Sequence, residues 1–206
     1  MSRLGFIYDQ TRCIGCNTCQ MACKDKNNLE KGMFYRRAVT VEADPWQPEA
    51  TRKNCESPAT TASIQKSRIW MHYSGSCNHC AHPACVKACP TGAMHITEDG
   101  TVLASADKCI GCGLCAKACP YHAISLSSKT RVAMKCDACA DLRAKGQKPA
   151  CVDACLTHCL TFGDIENLDS MDPDSTWTNT LSFLPDPSQT DPSLRIKPKK
   201  GGIHCD

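Results

Sequence analysis

The sequence predicts a loop-rich α+β protein made of two pseudo-symmetric modules and an extended C-terminal arm. The chain has 19 cysteines among 206 residues but only 5% aromatic residues, so disulfides or bound metal must cross-link much of its interior. Sixteen of the cysteines form four similar blocks, with short extended segments before or after them. The last forty residues instead carry isolated apolar side chains between prolines.

The four cysteine blocks share one pattern. Each begins with a C-x2-C pair and ends with C-x3-C, and only the gap before the third cysteine differs. Such repetition along a chain indicates repeated structural units. The blocks are Cys13, Cys16, Cys19 and Cys23; Cys77, Cys80, Cys85 and Cys89; Cys109, Cys112, Cys115 and Cys119; and Cys136, Cys139, Cys151 and Cys155.

Short helical turns and strands are predicted around these blocks. GFIYD before block one and LTFGDI after block four have the pattern of strands. Blocks two and three continue alike, as VKACPTGAMHI and AKACPYHAISL, which predicts a helical turn ended by proline and then a strand. Asp99-Gly100 lies between extended residues and indicates a hairpin.

These elements divide the chain into nested parts. Residues 1–42 and 130–166 form an outer module with blocks one and four, and residues 67–129 form an inner module with blocks two and three. Residues 43–66 are polar and rich in Pro, Ala and Thr, as expected of an inserted loop. The composition of residues 167–206 fits a disordered tail equally well, but apolar anchors between prolines favour an extended arm that docks on a partner or back on the body.

The cysteine spacing is typical of iron–sulfur proteins. Bacterial ferredoxins hold [4Fe–4S] clusters with C-x2-C-x2-C-x3-C-P, in which the fourth cysteine ligates the other cluster of a pair. Block three matches this run through Pro120, and block two matches it through Pro90 with a longer middle gap. Gly15 and Gly111 allow the backbone to approach a cluster closely. The sequence therefore predicts two ferredoxin-like modules with two [4Fe–4S] clusters each.

Zinc is the main alternative metal. Zinc sites usually close four Cys or His ligands around one ion, whereas each block here has its third and fourth cysteines close by. Sixteen cysteines already suffice for four clusters, so the nearby histidines are expected to contact the ligands or lie at the surface. These are His79, His82, His95 and His122. Cys55 and Cys205 are expected to be free surface thiols.

The motifs, charge and apolar runs of the sequence argue against several functions. No nucleophile–base pair, phosphate loop or dinucleotide motif stands out, which predicts that the chain is not an enzyme on its own. The net charge is only +3, and Lys197–Lys200 is a short basic end rather than a nucleic-acid surface. No apolar run approaches the ~18 residues that span a membrane, and the N-terminal apolar stretch is too short for a signal peptide.

The order of the blocks resembles the iron–sulfur electron-transfer subunit of the dimethyl sulfoxide reductase / molybdopterin oxidoreductase family. The matching segments span about residues 5–166, with a weaker match at LRIKPKK near the end; the segments are CIGCNTCQMACKD, CNHCAHPACVKACPTGAMH, CIGCGLCAKACPYHAI and CDACADLRAKGQKPACVDAC. The resemblance implies that block one pairs with block four and block two with block three. Cluster 1 would be ligated by Cys13, Cys16, Cys19 and Cys155; cluster 2 by Cys77, Cys80, Cys85 and Cys119; cluster 3 by Cys109, Cys112, Cys115 and Cys89; and cluster 4 by Cys136, Cys139, Cys151 and Cys23.

The sequence departs from this family at the end of block four. Leu156 stands where relatives usually have proline, and Cys159 follows Cys155 at helical spacing. Cys159 could replace Cys155 as a ligand, although the shared C-x3-C spacing favours Cys155. Block three keeps cysteine at all four positions, so four cubane clusters are the simplest expectation.

The resemblance also implies a function. The chain would relay electrons between a molybdopterin catalytic subunit, with molybdenum or tungsten, and a membrane quinone-linked anchor or other redox partner, without binding substrate. A free-standing soluble polyferredoxin is the alternative. The expected location is the outer, periplasmic face of the cytoplasmic membrane, after export with a signal-bearing partner, and the cytoplasm is the alternative. Removal of residues 167–206 is expected to weaken partner binding and leave the clusters intact.

Overall fold

The computed structural model describes residues 3–43, 69–166 and 176–199. The strands in these ranges are β1 Leu4–Asp9, β2 Arg37–Ala43, β3 Ile69–Gly75, β4 Met94–Ile96, β5 Val102–Ala104, β6 Ile124–Leu126, β7 Ala133–Lys135, β8 Leu160–Asp164 and β9 Leu194–Lys197. The α-helices are α1 Thr18–Lys26, α2 Ala84–Lys87, α3 Leu114–Ala118, α4 Ala140–Arg143 and α5 Ala150–Asp153. Within this part of the chain, no helix has both the length and the apolar character to cross a bilayer.

A three-stranded sheet joins distant parts of the chain. β1 is its central strand, with β8 antiparallel on one side and β9 parallel on the other. Phe6, Ile7 and Tyr8 of β1 are all buried, because a central strand is covered on both faces. The strands predicted before block one and after block four are thus confirmed, and they are neighbours.

Three two-stranded hairpins complete the strand structure, pairing β2 with β3, β4 with β5, and β6 with β7. The β4–β5 turn is the hairpin predicted at Asp99-Gly100: Gly100 has φ 79°, and the Asp99 carboxylate accepts a hydrogen bond from the Thr101 N–H at 3.0 Å. The segment between β2 and β3, which contains most of the predicted inserted loop, lies outside the described residues.

Two clusters of buried side chains form the interior. The outer cluster combines Phe6, Tyr8 and Leu160 with cysteines of blocks one and four and with Cys77 of block two, and α1 packs against α5 beside it. The inner cluster combines Met94 and Val102 with cysteines of blocks two and three, and here α2 packs against α3. β7 pairs with β6, so residues just past the predicted boundary at residue 129 pack with the inner cluster.

Polar contacts link the outer and inner clusters of buried side chains. Arg143 on α4 forms a 2.7 Å ion pair with Asp99 in the β4–β5 turn. Glu30, after α1, accepts a 2.6 Å hydrogen bond from the Ser127 hydroxyl, after β6. Both contacts connect the polypeptide of blocks one and four with that of blocks two and three.

The C-terminal segment docks back on the body. Ile196 of β9 is fully buried against the sheet, and Asp191 forms a 2.8 Å ion pair with Arg3. The Ala81 N–H in block two donates to the Asp191 carbonyl at 2.9 Å. Residues 176–199 therefore dock on the body, and these contacts argue against the expectation that the segment could be removed without disturbing the cysteine sites.

Candidate iron–sulfur sites

The structure gathers the predicted ligands into four groups, each with three cysteines from one block and one from another. Site one comprises Cys13, Cys16, Cys19 and Cys155; site two comprises Cys77, Cys80, Cys85 and Cys119; site three comprises Cys109, Cys112, Cys115 and Cys89; and site four comprises Cys136, Cys139, Cys151 and Cys23. Sites one, two and three each line a separate cavity. Each of the three cavities thus brings four of the predicted ligands together, as a metal group held by four thiolates requires.

Site four lies between two packed helices. Cys23 is on α1 and Cys151 is on α5, and all four cysteines of the site are buried. Burial above all, together with the neighbouring Cys151 and Cys139, raises the pKa of Cys23 to about 12. Cys23 therefore faces the cysteines of block four rather than those of its own block.

Helix α1 supplies cysteines to two different sites. Cys19 and Cys23 are four residues apart and both buried, so they lie one above the other on the covered face of the helix. Cys19 lines site one, and Cys23 belongs to site four. Asn17, with φ 61°, turns the chain from the block-one loop into this helix.

The two CIGC loops require glycine for conformational and steric reasons. Gly15 has φ 69° and Gly111 has φ 70°, a region that other residues rarely adopt. An added Cβ at Gly15 would overlap the His72 ring, and one at Gly111 would lie 2.6 Å from the Arg131 carbonyl oxygen. The predicted close approach of the backbone to a cluster stays a prediction, whereas the crowding against protein atoms is a finding that the sequence did not anticipate.

Hydrogen-bond donors surround the thiols. A sulfur that ligates a metal is a thiolate, and N–H or O–H donors stabilise its negative charge. The donor–sulfur pairs include Ala133 N–H to Cys109 at 3.3 Å, Met94 N–H to Cys89 at 3.5 Å, Ala138 N–H to Cys136 at 3.3 Å, and the Thr18 hydroxyl to Cys16 at 3.4 Å. Each of the four sites thus holds an environment suited to thiolate ligands, with the Thr190 hydroxyl serving this role at Cys80 in site two.

Burial disfavours bare thiolates at these sites. It raises the pKa of Cys80 to about 11 and that of Cys85 to about 12, because a charged sulfur loses its hydration there. A bound metal group would supply the compensating positive charge and displace the thiol protons. The donor set therefore fits iron–sulfur clusters, whose binding converts these thiols to thiolates.

Two buried cations lie among the sites. Arg36 donates hydrogen bonds to the Ser74 carbonyl and the Ser76 hydroxyl, both at 2.9 Å, and its charge acts on cysteines of sites one and four. Lys135 donates to the Cys136 carbonyl at 2.7 Å, and its charge acts on cysteines of sites two and four. Neither residue has a local sequence signal, because each meets its partners only in the folded chain.

The remaining predicted candidates fall into three groups. The Nδ1 of the buried His79 accepts a hydrogen bond from the Val102 N–H at 3.0 Å, and none of the four histidines near the blocks lines the three described cavities. Cys159 does line site one, with its sulfur 3.4 Å from that of Cys155. Cys55 and Cys205 lie outside the described residues.

Comparison with known proteins identifies relatives over almost the whole chain. A family model described as a 4Fe-4S dicluster domain matches residues 68–165, and one described as a 4Fe-4S binding domain matches residues 10–28. The B subunit of the anaerobic dimethyl sulfoxide reductase of Escherichia coli is 38% identical over 96% of this chain and 89% of its own length. The B subunit of the polysulfide reductase of Wolinella succinogenes is 36% identical over 98% of this chain and 97% of its own length.

The name of a third relative states its role. The thiosulfate reductase electron transfer subunit of Salmonella typhi is 40% identical over 78% of this chain and 75% of its own length. The cysteine geometry, the 4Fe-4S domain matches and these relatives agree. The chain therefore belongs to the family of iron–sulfur electron-transfer subunits of the dimethyl sulfoxide reductase / molybdopterin oxidoreductases.

Proposed function

We propose that the chain holds four [4Fe–4S] clusters and relays single electrons between a molybdopterin catalytic subunit and a membrane quinone-linked anchor or other redox partner. The observation that carries this proposal is the gathering of sixteen cysteines into four groups of four, with one ligand exchanged between blocks in every group. Clusters 1 to 4 of the proposed assignment occupy sites one to four. When bound, each cluster supplies a one-electron redox centre.

The four sites follow one another in the order one, four, two, three. Site one adjoins site four, because the charge of Cys151 in site four raises the pKa of Cys19 in site one. Site four adjoins site two, because the charge of Cys77 in site two raises the pKa of Cys136 in site four. Sites two and three are neighbours because α2, which carries Cys85, packs against α3. This order supports a relay whose two ends are sites one and three.

The two end sites reach the surface. Cys16 of site one and Cys112 of site three are exposed, whereas the cysteines of site four are all buried. Exposed apolar side chains stand beside each end: Ile14 (61% exposed) and Leu156 (67%) at site one, and Ile110 (68%) and Leu114 (46%) at site three. Apolar surface around an exposed redox site supports docking of a partner protein at each end.

The chain's own residues position and tune the sites rather than transform a substrate. Sulfur ligands hold each group, and backbone and hydroxyl donors stabilise the ligand charge. Arg36 and Lys135 add positive charge in the interior of the relay. We therefore assign the chain a non-catalytic role within an oxidoreductase complex, with no direct contact to the substrate.

The proposed location is the periplasmic face of the cytoplasmic membrane, reached by export with a signal-bearing partner. This part of the proposal rests on the family membership. Protease treatment of intact spheroplasts tests it: the chain should be cleaved without lysis. Protection until lysis would place it in the cytoplasm instead.

The function is tested by anaerobic purification of the chain from its native host, with analysis of iron, acid-labile sulfide, molybdenum and tungsten. We expect about sixteen irons per chain, four for each cluster, together with a large partner that contains molybdenum or tungsten. An iron-rich chain recovered alone would favour the free-standing polyferredoxin. A colourless chain without acid-labile sulfide would refute the iron–sulfur proposal itself.

A further inference from the structure

The residue four positions after the last cysteine of a block has the same place in three of the four sites. Ala93 follows Cys89 and lines the cavity of site three, and Ala123 follows Cys119 and lines that of site two. In both cases the backbone N–H of the alanine donates a hydrogen bond to the sulfur of that cysteine. A side chain at this position therefore points toward the proposed cluster.

Block four has cysteine at the same position. The N–H of Cys159 donates to the sulfur of Cys155, as the two alanines do in their blocks, and the Cys159 side chain lines the cavity of site one. Five cysteines thus line the cavity of site one, whereas four line each of the cavities of sites two and three.

The Cys159 thiol contacts two of the proposed ligands. Its sulfur lies 3.4 Å from that of Cys155, and its thiol is hydrogen-bonded to Cys13. Its backbone is fixed, because the Asp9 N–H of β1 donates to the Cys159 carbonyl at 2.8 Å. The fifth thiol is therefore buried and is held beside the site by the central sheet.

We infer that Cys159 is a second, interchangeable ligand for the iron that Cys155 binds, so that site one has five ligands for four positions. The inference rests on the proposed function, since it needs a cluster at site one. Exchange requires only that one thiolate sulfur replaces another on the same iron, with the incoming thiol giving up its proton and the outgoing thiolate taking one up. No oxidant or reductant is involved, and the protein retains a ligand when either thiol is lost.

The test compares Cys155→Ala, Cys159→Ala and the double variant, each purified within the native complex. Alanine is used because the hydroxyl of serine can itself ligate iron. We expect each single variant to keep the wild-type iron and acid-labile sulfide content, and the double variant to lose one cluster, about a quarter of the iron. Cys119→Ala is the matched control, because Ala123 offers no replacement thiol, and it should lose the same quarter.

Loss of a cluster in either single variant, or full iron in the double variant, would overturn the inference. Retention of the other three clusters in the double variant shows that the chain has folded. A second measurement uses the Cys159→Ala variant alone, because alanine is the residue that blocks two and three have at this position. Iron release from site one to a chelator should be several-fold faster in this variant than in the wild type. An unchanged rate would also overturn the inference, whereas a wild-type chain without acid-labile sulfide would instead refute the proposed function.

Discussion

Arg36 is a buried cation beside the cysteines of two proposed clusters. Its guanidinium lies 4.4 Å from the Phe6 ring centroid, donates to Ser74 and Ser76, and acts electrostatically on cysteines of sites one and four. A [4Fe–4S] cluster and its four thiolates become more negative on reduction. A nearby fixed positive charge therefore stabilises the reduced form and raises the reduction potential.

Arg36→Met should lower the reduction potentials of the clusters at sites one and four. A decrease of ~60 mV corresponds to ~1.4 kcal/mol for one electron, which a buried charge a few ångströms away readily supplies. Redox titration followed by electron paramagnetic resonance measures the change. Arg36→Lys, which keeps the charge, should retain most of the potential, and Lys129→Met removes an exposed cation as a control. Equal shifts in the Met variants at positions 36 and 129 would contradict this assignment.

Gly111 is required both by its positive φ and by the lack of space for a Cβ atom, whereas Gly146 is required only by its positive φ. Gly111 and Gly146 both have φ near 70°, but an added Cβ meets the Arg131 carbonyl at Gly111 and nothing within 4 Å at Gly146. Gly146→Ala should therefore cost ~1 kcal/mol from backbone strain alone. Gly111→Ala should cost ~2–4 kcal/mol, because overpacking adds to that strain.

The comparison is made by anaerobic urea titration, with the visible absorbance of the bound clusters as the signal. The midpoint should fall further for Gly111→Ala than for Gly146→Ala. Equal midpoints would mean that the loop yields to the extra methyl group and that only the backbone conformation demands glycine.

Strand β9 shows how the end of the chain stabilises its beginning. Ile196 is fully buried, and its strand pairs with β1, which starts at Leu4. Ile196→Ala should lower the free energy of unfolding by ~2–5 kcal/mol, the usual range for a cavity left by a large apolar side chain. Met21→Ala on α1 is the control: Met21 is 56% exposed, so its loss should change stability by less than ~0.5 kcal/mol. A small effect at Ile196 would mean that β9 detaches readily from the sheet.

Truncation before residue 176 extends this test to the whole segment. It removes β9 and also Thr190, which lines site two and forms hydrogen bonds with Cys80 and Tyr121. We expect the iron content to fall by at least one cluster, about a quarter. Full iron content together with weaker partner binding would instead support the expectation that the segment can be removed with the clusters intact.

The elements that the sequence predicted are those with local signals. β1, β8 and the β4–β5 hairpin follow from apolar runs and from Asp99-Gly100, and cysteine spacing alone defines the ligand candidates. β9 could not be predicted in the same way, because LRIK becomes a strand only by pairing with β1 at the other end of the chain. Arg36 and Thr190 were missed for the same reason: their contacts with site residues join distant segments, and no spacing rule records such contacts.

At the scale of the whole molecule, the exchange of cysteines between blocks connects the fold to the relay. Each of the four sites draws one cysteine from another block, so no block completes a site alone. Binding of the proposed clusters would therefore contribute directly to folding, because a cluster ligated in this way closes only when distant segments have met. The cysteine pattern predicted that the fourth cysteine is exchanged, whereas the choice of partner block came from the family resemblance.

Cys19 and Cys23 allow this exchange to be tested on a single helix. They lie four residues apart on α1, both are buried, and the proposed assignment gives Cys19 to site one and Cys23 to site four. Cys23→Ala should therefore remove the same paramagnetic signal as Cys139→Ala, a block-four variant, and Cys19→Ala should remove the same signal as Cys16→Ala. This comparison needs no prior assignment of the spectrum, because it asks only which variants lose the same cluster. If Cys23→Ala instead matched Cys16→Ala, block one would close on itself, the crossed assignment would be wrong, and α1 would serve one cluster instead of linking two.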